Sequence, residues 1–291
     1  MESFLMQQCK PIYLIILLCI SFSLYAALPK DERVPGGVAV IKLPKKYDRQ
    51  IKPPQVVFEN EKIALMRVKD EGQLAWYAVV GLPLTMEPGN RYLTLLNGRD
   101  SQRLDFQIRH KNYPEEKLFF KQKSHVKPNL ELLARIERET EHLNRVFSHW
   151  TDKELPDVTL RQPVKGRISS EYGKKRLMNN EVKSRHKGID IAAPTGTPVK
   201  VARSGIVVDV GNYFYTGNTV IVDHGQGFKT IYCHLNTLSV KLGEVVGDNQ
   251  KIGTVGQTGR ATGSHLHFGV SLNNTRVSPD LFFVYNDVKG S

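Results

Sequence analysis

Cysteine is scarce in this chain. Of three in 291 residues, Cys9 and Cys19 lie near the start. Beyond them only Cys233 remains, so no internal disulfide framework can hold the fold. A lone thiol beside Ile231, Tyr232 and Leu235 reads as core packing. Long apolar runs are also lacking. After residue 26 no segment could span a bilayer. The one extended run, from Pro11 to Ala26 behind Lys10, is shorter than the roughly 20 residues a spanning helix needs. It reads as an export signal over residues 1–26, with small Ala26 and Ala27 at the cut. Leu24, two residues before Ala26, is large for that role, so retention as a membrane anchor stays open. Leu18 before Cys19 argues against lipidation.

Acidic residues are the minority, 29 against 41 Lys and Arg, for a net charge of +12. The excess favours anionic partners through non-specific attraction. An exported protein meets few nucleic acids, which leaves wall polymers and the anionic envelope surface. A merely basic solvated surface is an equal reading. Nothing in the composition addresses oligomeric state. With 40% hydrophobic residues, a packed core is within reach and wholesale disorder is excluded.

The pattern is mainly β. Residues 28–54 hold one short strand, Val38–Leu43. Short runs then follow at Val56–Phe58, Lys62–Val68, Leu74–Val80, Tyr92–Leu96 and Arg103–Ile108. They are punctuated by Asp70-Glu-Gly72, Pro88-Gly89 and Asn97-Gly98. This spacing predicts a small antiparallel sandwich-like N-terminal β domain over 28–120. It contains no metal or nucleophile constellation, and His110 stands alone as a surface residue. Over 125–152 the period changes. Leu133, Ile136, Leu143, Phe147 and Trp150 recur at three- and four-residue steps after Pro128-Asn129, predicting an amphipathic linking α-helix. Its His142 and His149 read as surface residues. Residues 160–285 return to β signals. Val199–Arg203 and Ile206–Val210 flank Ser204-Gly205, a hairpin signal. Thr219–Asp223, Lys229–Cys233, Ser239–Leu242, Lys251–Val255 and Leu266–Leu272 complete one antiparallel domain.

The histidines of this last region stand in distinctive surroundings: His186-Lys-Gly-Ile-Asp190, Tyr232-Cys-His234-Leu235 and Ser264-His265-Leu-His267-Phe268-Gly269. Residues two apart in a strand share a face, so His265 and His267 project together while Leu266 and Phe268 face the core. Two adjacent imidazoles are poor core residues, since each leaves a nitrogen in need of a partner. They suit a metal site or an acid–base pair. Gly188 with β-branched Ile189 and Ile191 argues against a helix at His186–Asp190. A loop entering a strand can aim both side chains inward. Imidazole and carboxylate are both ordinary zinc ligands, and a set of two histidines and one carboxylate leaves a fourth position open. His224, ending a strand at Gly225, reads instead as a hydrogen-bonded turn residue.

In order and spacing these stretches resemble the lysostaphin/LytM-type zinc endopeptidases over about residues 165–283. Ile168-Ser-Ser-Glu-Tyr-Gly173, Ala192-Ala-Pro-Thr-Gly-Thr-Pro-Val199 and Gly217-Asn-Thr-Val-Ile-Val-Asp-His-Gly225 carry the likeness further. The segment opening Val34-Pro-Gly-Gly-Val-Ala-Val-Ile41 more loosely resembles the β domain preceding some Gram-negative members. The resemblance implies one Zn2+ per chain on His186, Asp190 and His267, with His234 and His265 handling protons near the catalytic water. It implies peptidoglycan as substrate, cleaved at its peptide crosslinks, and a periplasmic or secreted location. A non-catalytic wall-binding or amidase-activating module and a zinc protease acting on proteins are the rival readings. The intact ligand set argues against the first.

Overall fold

The computed structural model describes residues 27–155, 157–180 and 182–284; the expected leader lies outside them. The chain is mostly strand, with a single α-helix among the described residues. The N-terminal part holds β1 (Val38–Lys42), β2 (Gln55–Phe58), β3 (Glu61–Lys62), β4 (Ala64–Asp70), β5 (Gln73–Gly81), β6 (Gly89–Asn97), β7 (Asp100–Ile108) and β8 (Glu115–Leu118). Helix α1 (Leu130–Ser148) follows. Then come β9 (Arg167–Ser170), β10 (Lys175–Met178), β11 (Val182–Arg185), β12 (Ile189–Ala192), β13 (Pro198–Lys200), β14 (Gly205–Tyr213) and β15 (Gly217–Gly225). The series ends with β16 (Phe228–Leu238), β17 (Val245–Val246), β18 (Lys251–Val255), β19 (His265–Leu272) and β20 (Thr275–Val277).

Two sheets, β1-β5-β4 and β3-β2-β6-β7, face each other in the N-terminal part. Ala39, Ile41, Ala78 and Val80 from the first share a core with Val56, Phe58, Leu93 and Phe106 from the second. The expected sandwich therefore forms. Its three-stranded sheet is also buried on the other face. Val38, Val79, Ala64 and Met66 enter the main core together with Val270, Leu272 and Phe228. Burial on both faces accounts for the unbroken apolar runs Val38-Ala-Val-Ile41 and Ala78-Val-Val80, where a one-sided sheet would alternate. Two side-chain amides finish the junction as mock strand partners. Gly81 N–H donates to Asn273 Oδ1 at 2.6 Å and Asn273 Nδ2 donates to the Gly81 carbonyl at 3.1 Å. Gln226 treats Leu65 the same way, at 2.9 and 3.2 Å.

The large sheet runs β17-β14-β15-β16-β19-β12-β9. One face carries Val220, Val222, Tyr232, Leu266, Phe268, Ile189 and Ile191 into the main core. On the other face, Phe147 of α1 packs with Ile221, Ile231 and Cys233. The helix starts where expected, with the Asn129 side chain accepting from Leu132 N–H at 2.9 Å. Its C-terminus is held by Lys229, a fully buried residue whose Nζ donates to the His149 carbonyl at 2.6 Å. The helix covers the β15–β16 part of this face. The stretch from β16 to β12, bearing His267 and Asp190, is left to polar groups.

Three details depart from expectation. Ser204-Gly205 makes no hairpin: β13 pairs β18, and β14 pairs β15 and β17. Gly205 instead lets strands approach closely, since a Cβ there would lie 2.5 Å from the Asp223 carbonyl oxygen. No strand forms at Ser239–Leu242; β16 runs on to Leu238 and the chain turns. Strand β8 joins neither N-terminal sheet. It pairs in parallel with β10, with Glu116 opposite Arg176, and so joins the C-terminal part of the chain.

Candidate metal centre

Strand register assembles the centre. In the antiparallel pair β12–β19, Asp190 lies directly opposite His267, and Ala192 opposite His265. The alternation that sends Ile189, Ile191, Leu266 and Phe268 into the core sends Asp190, His265 and His267 to the opposite face. His186 arrives from the turn before β12. Its backbone is pinned by pairing with Lys174 N-terminal to β10: His186 N–H donates to the Lys174 carbonyl at 2.9 Å. Gly188 is needed in that turn, because a Cβ would sit 2.7 Å from His267 Nε2.

The three side chains converge on one point. Asp190 Oδ1 is 3.0 Å from His186 Nε2 and 2.8 Å from His267 Nδ1, and those two nitrogens are 3.0 Å apart. The residues form a group of metal-competent donors that are buried or nearly so. Donors around a tetrahedral zinc with bonds near 2.05 Å sit about 3.3 Å apart, so the spacing suits that ion. The Glu171 carbonyl, 2.7 Å from His186 Nδ1, can only accept. It therefore fixes the proton on Nδ1 and leaves the Nε2 lone pair facing the centre. Burial would raise the Asp190 carboxyl, but the His186 and His267 rings beside it hold it well below the usual range. Burial lowers His267 to about 4 against the opposing pull of Asp190. Asp190 as carboxylate and His267 as neutral imidazole are the forms a cation binds.

Two further histidines flank it. His234 sits at a bulge in β16, between the pairings of Cys233 with His267 and of Leu235 with Asn218. It adopts φ +60°, unusual for a side-chain-bearing residue, and the bulge turns its ring toward the site. Its ring centroid is 4.8 Å from that of His265 and 6.0 Å from that of His267. His234 Nδ1 donates to the Thr258 carbonyl at 2.7 Å, and His265 Nδ1 donates to the Gly263 carbonyl at 2.8 Å. Both rings consequently keep Nε2 as acceptor, and His265 Nε2 lies 3.7 Å from Asp190 Oδ1. Burial, with help from His265 and His267, pushes His234 down to about 3, so it is neutral at ordinary pH.

All five residues singled out by sequence meet here. The other histidines lie elsewhere. His224 is buried within β15 and bonds Ser204 and Thr230. His110 is exposed. His142 is more engaged than a plain surface residue, with Nε2 2.7 Å from Asp209 and its ring stacked on Tyr213. Sequence reasoning missed the polar support behind Asp190. Arg176 Nη2 donates to Asp190 Oδ2 at 2.5 Å, and Arg176 Nε donates to Glu116 Oε2 at 3.0 Å. The only signal was the Lys174-Lys-Arg176 run, which reads simply as charge.

Comparison with known proteins agrees with this geometry. Residues 184–279 match the model of peptidase family M23, and residues 31–111 that of its N-terminal domain. Peptidoglycan DD-endopeptidase ShyA of Vibrio cholerae is 45% identical over 123 residues, 40% of this chain and 28% of that protein. DD-carboxypeptidase/endopeptidase Mpg of Neisseria meningitidis is 41% identical over 113 residues, 39% of this chain and 26% of that protein. The matched region spans only about a quarter of these curated relatives. A crystal structure of a putative peptidase M23 from Pseudomonas aeruginosa superposes with a TM-score of 0.71 at 36% identity, covering 87% of this chain and 95% of that one. A likeness of that depth over nearly the whole of both chains means that this protein belongs to peptidase family M23.

Proposed function

We propose that the protein is a zinc-dependent endopeptidase cleaving peptide crosslinks of bacterial peptidoglycan. The observation that carries this reading is the convergence of three ligand atoms within 3.0 Å of one another, beside two histidines that each present a free Nε2. His186, Asp190 and His267 would hold one zinc ion per chain. Bound there, zinc supplies Lewis acidity and lowers the pKa of a coordinated water. His234 and His265 are the proton-handling pair. The carbonyls of Thr258 and Gly263 lock their tautomers, so each offers a lone pair toward the space beside Asp190. With Nε2 as acceptor, either ring can receive a proton and return it to a leaving amine. Burial of His186, Asp190 and His234 strengthens each of these interactions.

The peptidoglycan assignment rests on the named activities of ShyA and Mpg, with which this chain shares its catalytic half. The same assignment calls for export, with residues 1–26 as the leader, to the periplasm or beyond; no described helix is long and apolar enough to cross a membrane. The net charge of +12 suits an anionic envelope surface. The test is incubation of the purified mature chain with peptidoglycan, with and without a chelator, followed by mass spectrometry of released muropeptides. New peptide termini in metal-replete samples alone are expected. Their absence would remove the enzyme reading, and cleavage of proteins but not of peptidoglycan would redirect its substrate.

A further inference from the structure

The two oxygens of Asp190 have different partners. Oδ1 meets His186 and His267. Oδ2 accepts from Arg176 Nη2 at 2.5 Å. Arg176 is itself over-determined. Its Nη2 also donates to Ser170 Oγ at 3.1 Å, and its Nε donates to Glu116 Oε2 at 3.0 Å. Ser170 is paired opposite Asp190 across β9–β12, and Glu116 opposite Arg176 across β8–β10. The Ser170 hydroxyl closes the circuit by donating to Glu116, at 3.0 and 3.1 Å to its two oxygens. Backbone register thus holds every member of this network in place.

A guanidinium this close to a cation site carries an electrostatic cost, since like charges repel across a partly desolvated gap. Glu116 offsets part of that cost, pairing with Arg176 at 3.0 Å and with Lys174 at 3.5 Å, so that these two cations face the two carboxylates of Glu116 and Asp190. What remains is geometry. A rigid planar fork satisfied by three partners fixes the tilt of the carboxylate plane, which a flexible ammonium would not do. Resting on the zinc-site reading above, we propose that Arg176 is a positioning residue for the metal. It holds Asp190 through Oδ2, so that the carboxylate offers the ion Oδ1 alone and the remaining coordination position stays free for water and substrate. Glu116 lies on β8, so the segment following the N-terminal sandwich supports the proposed metal centre through Arg176.

The test is zinc affinity of the full mature chain, measured by competition with a chromophoric chelator, together with the visible spectrum of the Co2+-substituted protein. Arg176→Met and Arg176→Lys are compared with the parent. Removal of an outer-shell partner typically weakens metal binding by about 10–100-fold. The expectation is a loss in that range for both variants, with a weaker cobalt absorption reporting a higher coordination number as Asp190 turns to offer both oxygens. Arg176→Lys retains the charge and most of the stem, so it tests the proposal even if Arg176→Met fails to fold. Tighter zinc binding by Arg176→Met with parental affinity in Arg176→Lys would mean that Arg176 acts by charge alone, and would overturn the proposal. Parental affinity and spectrum in Arg176→Lys would do the same. Failure of the parent to bind stoichiometric zinc would instead overturn the zinc reading itself, and this inference with it.

Discussion

The two halves of the chain use their interiors differently. Up to Leu155 every buried residue among those described is apolar, aromatic, glycine or proline. From Asp157 onward the interior also holds His186, Asp190, His224, Lys229, His234 and several hydroxyl-bearing residues. Burying a polar group costs roughly 1–3 kcal/mol unless it is hydrogen-bonded. The second half accepts that cost repeatedly and offsets it with explicit partners: carbonyls for the histidines, helix-end carbonyls for Lys229, and Arg176 for Asp190. The first half folds by the ordinary physics of a sandwich core. The second is built around a constellation that apolar residues would have stabilised more cheaply. Chemistry, in other words, is visible as polarity in the wrong place.

That contrast can be broken from either side. The largest effect is expected at the ligands. His186→Ala, Asp190→Ala and His267→Ala should lose stoichiometric zinc, read by metal analysis, and with it all measurable peptidoglycan cleavage. His234→Ala and His265→Ala should keep the metal yet lose about 10²–10⁴-fold in rate, the usual worth of a proton-transfer group. Stoichiometric zinc in purified His267→Ala would contradict the ligand assignment. In the sandwich, Leu93 is fully buried. Leu93→Ala should cost about 2–5 kcal/mol in denaturant unfolding while leaving the rate per folded molecule unchanged. A drop in rate at constant folded fraction would show that the halves are not separable in this sense.

Asn273→Ala removes a mock strand partner and leaves the Gly81 N–H and carbonyl unpaired at the junction. A loss of about 1–3 kcal/mol is expected. A further effect concerns pH. Burial lowers His224, which lies outside the His186, Asp190 and His267 group, to about 4 from its ordinary 6.5. The unfolded chain therefore takes up this proton first as pH falls. Stability from this group should be fully present above about 6.5, decline from there towards about 4, and change no further below. Urea midpoints at pH 7 and pH 4.5 should differ less in His224→Gln than in the parent.

Much of the site was legible because its residues come in short local patterns. His-x-His in a strand puts both rings on one face whatever the rest of the chain does, and Asp190 sits four residues from His186 in a segment that could not be helical. Helix α1 was equally readable, since its apolar period and its Asn129 cap are both local. What escaped was long-range. Glu116 and Arg176 are 60 residues apart and meet only through the parallel pairing of β8 with β10, which no periodicity announces. The same holds for Ser204-Gly205. Its composition fits a tight turn, but the glycine serves the close approach of β15. The φ +60° at His234 was likewise invisible, because bulges follow from the register of neighbouring strands.

The sheet β1-β5-β4 has two interiors, one shared with the sandwich and one with the main core. A fluctuation that lifts it off either neighbour exposes Val38, Met66 and Val79, or else Ala39, Ala78 and Val80, to water. Lifting the sheet from either side therefore costs buried apolar contact, which couples the sandwich to the main core. This coupling makes resistance to degradation a shared property of the two interiors. A protease that needs unravelled backbone from β1, β4 or β5 must wait for these contacts to open.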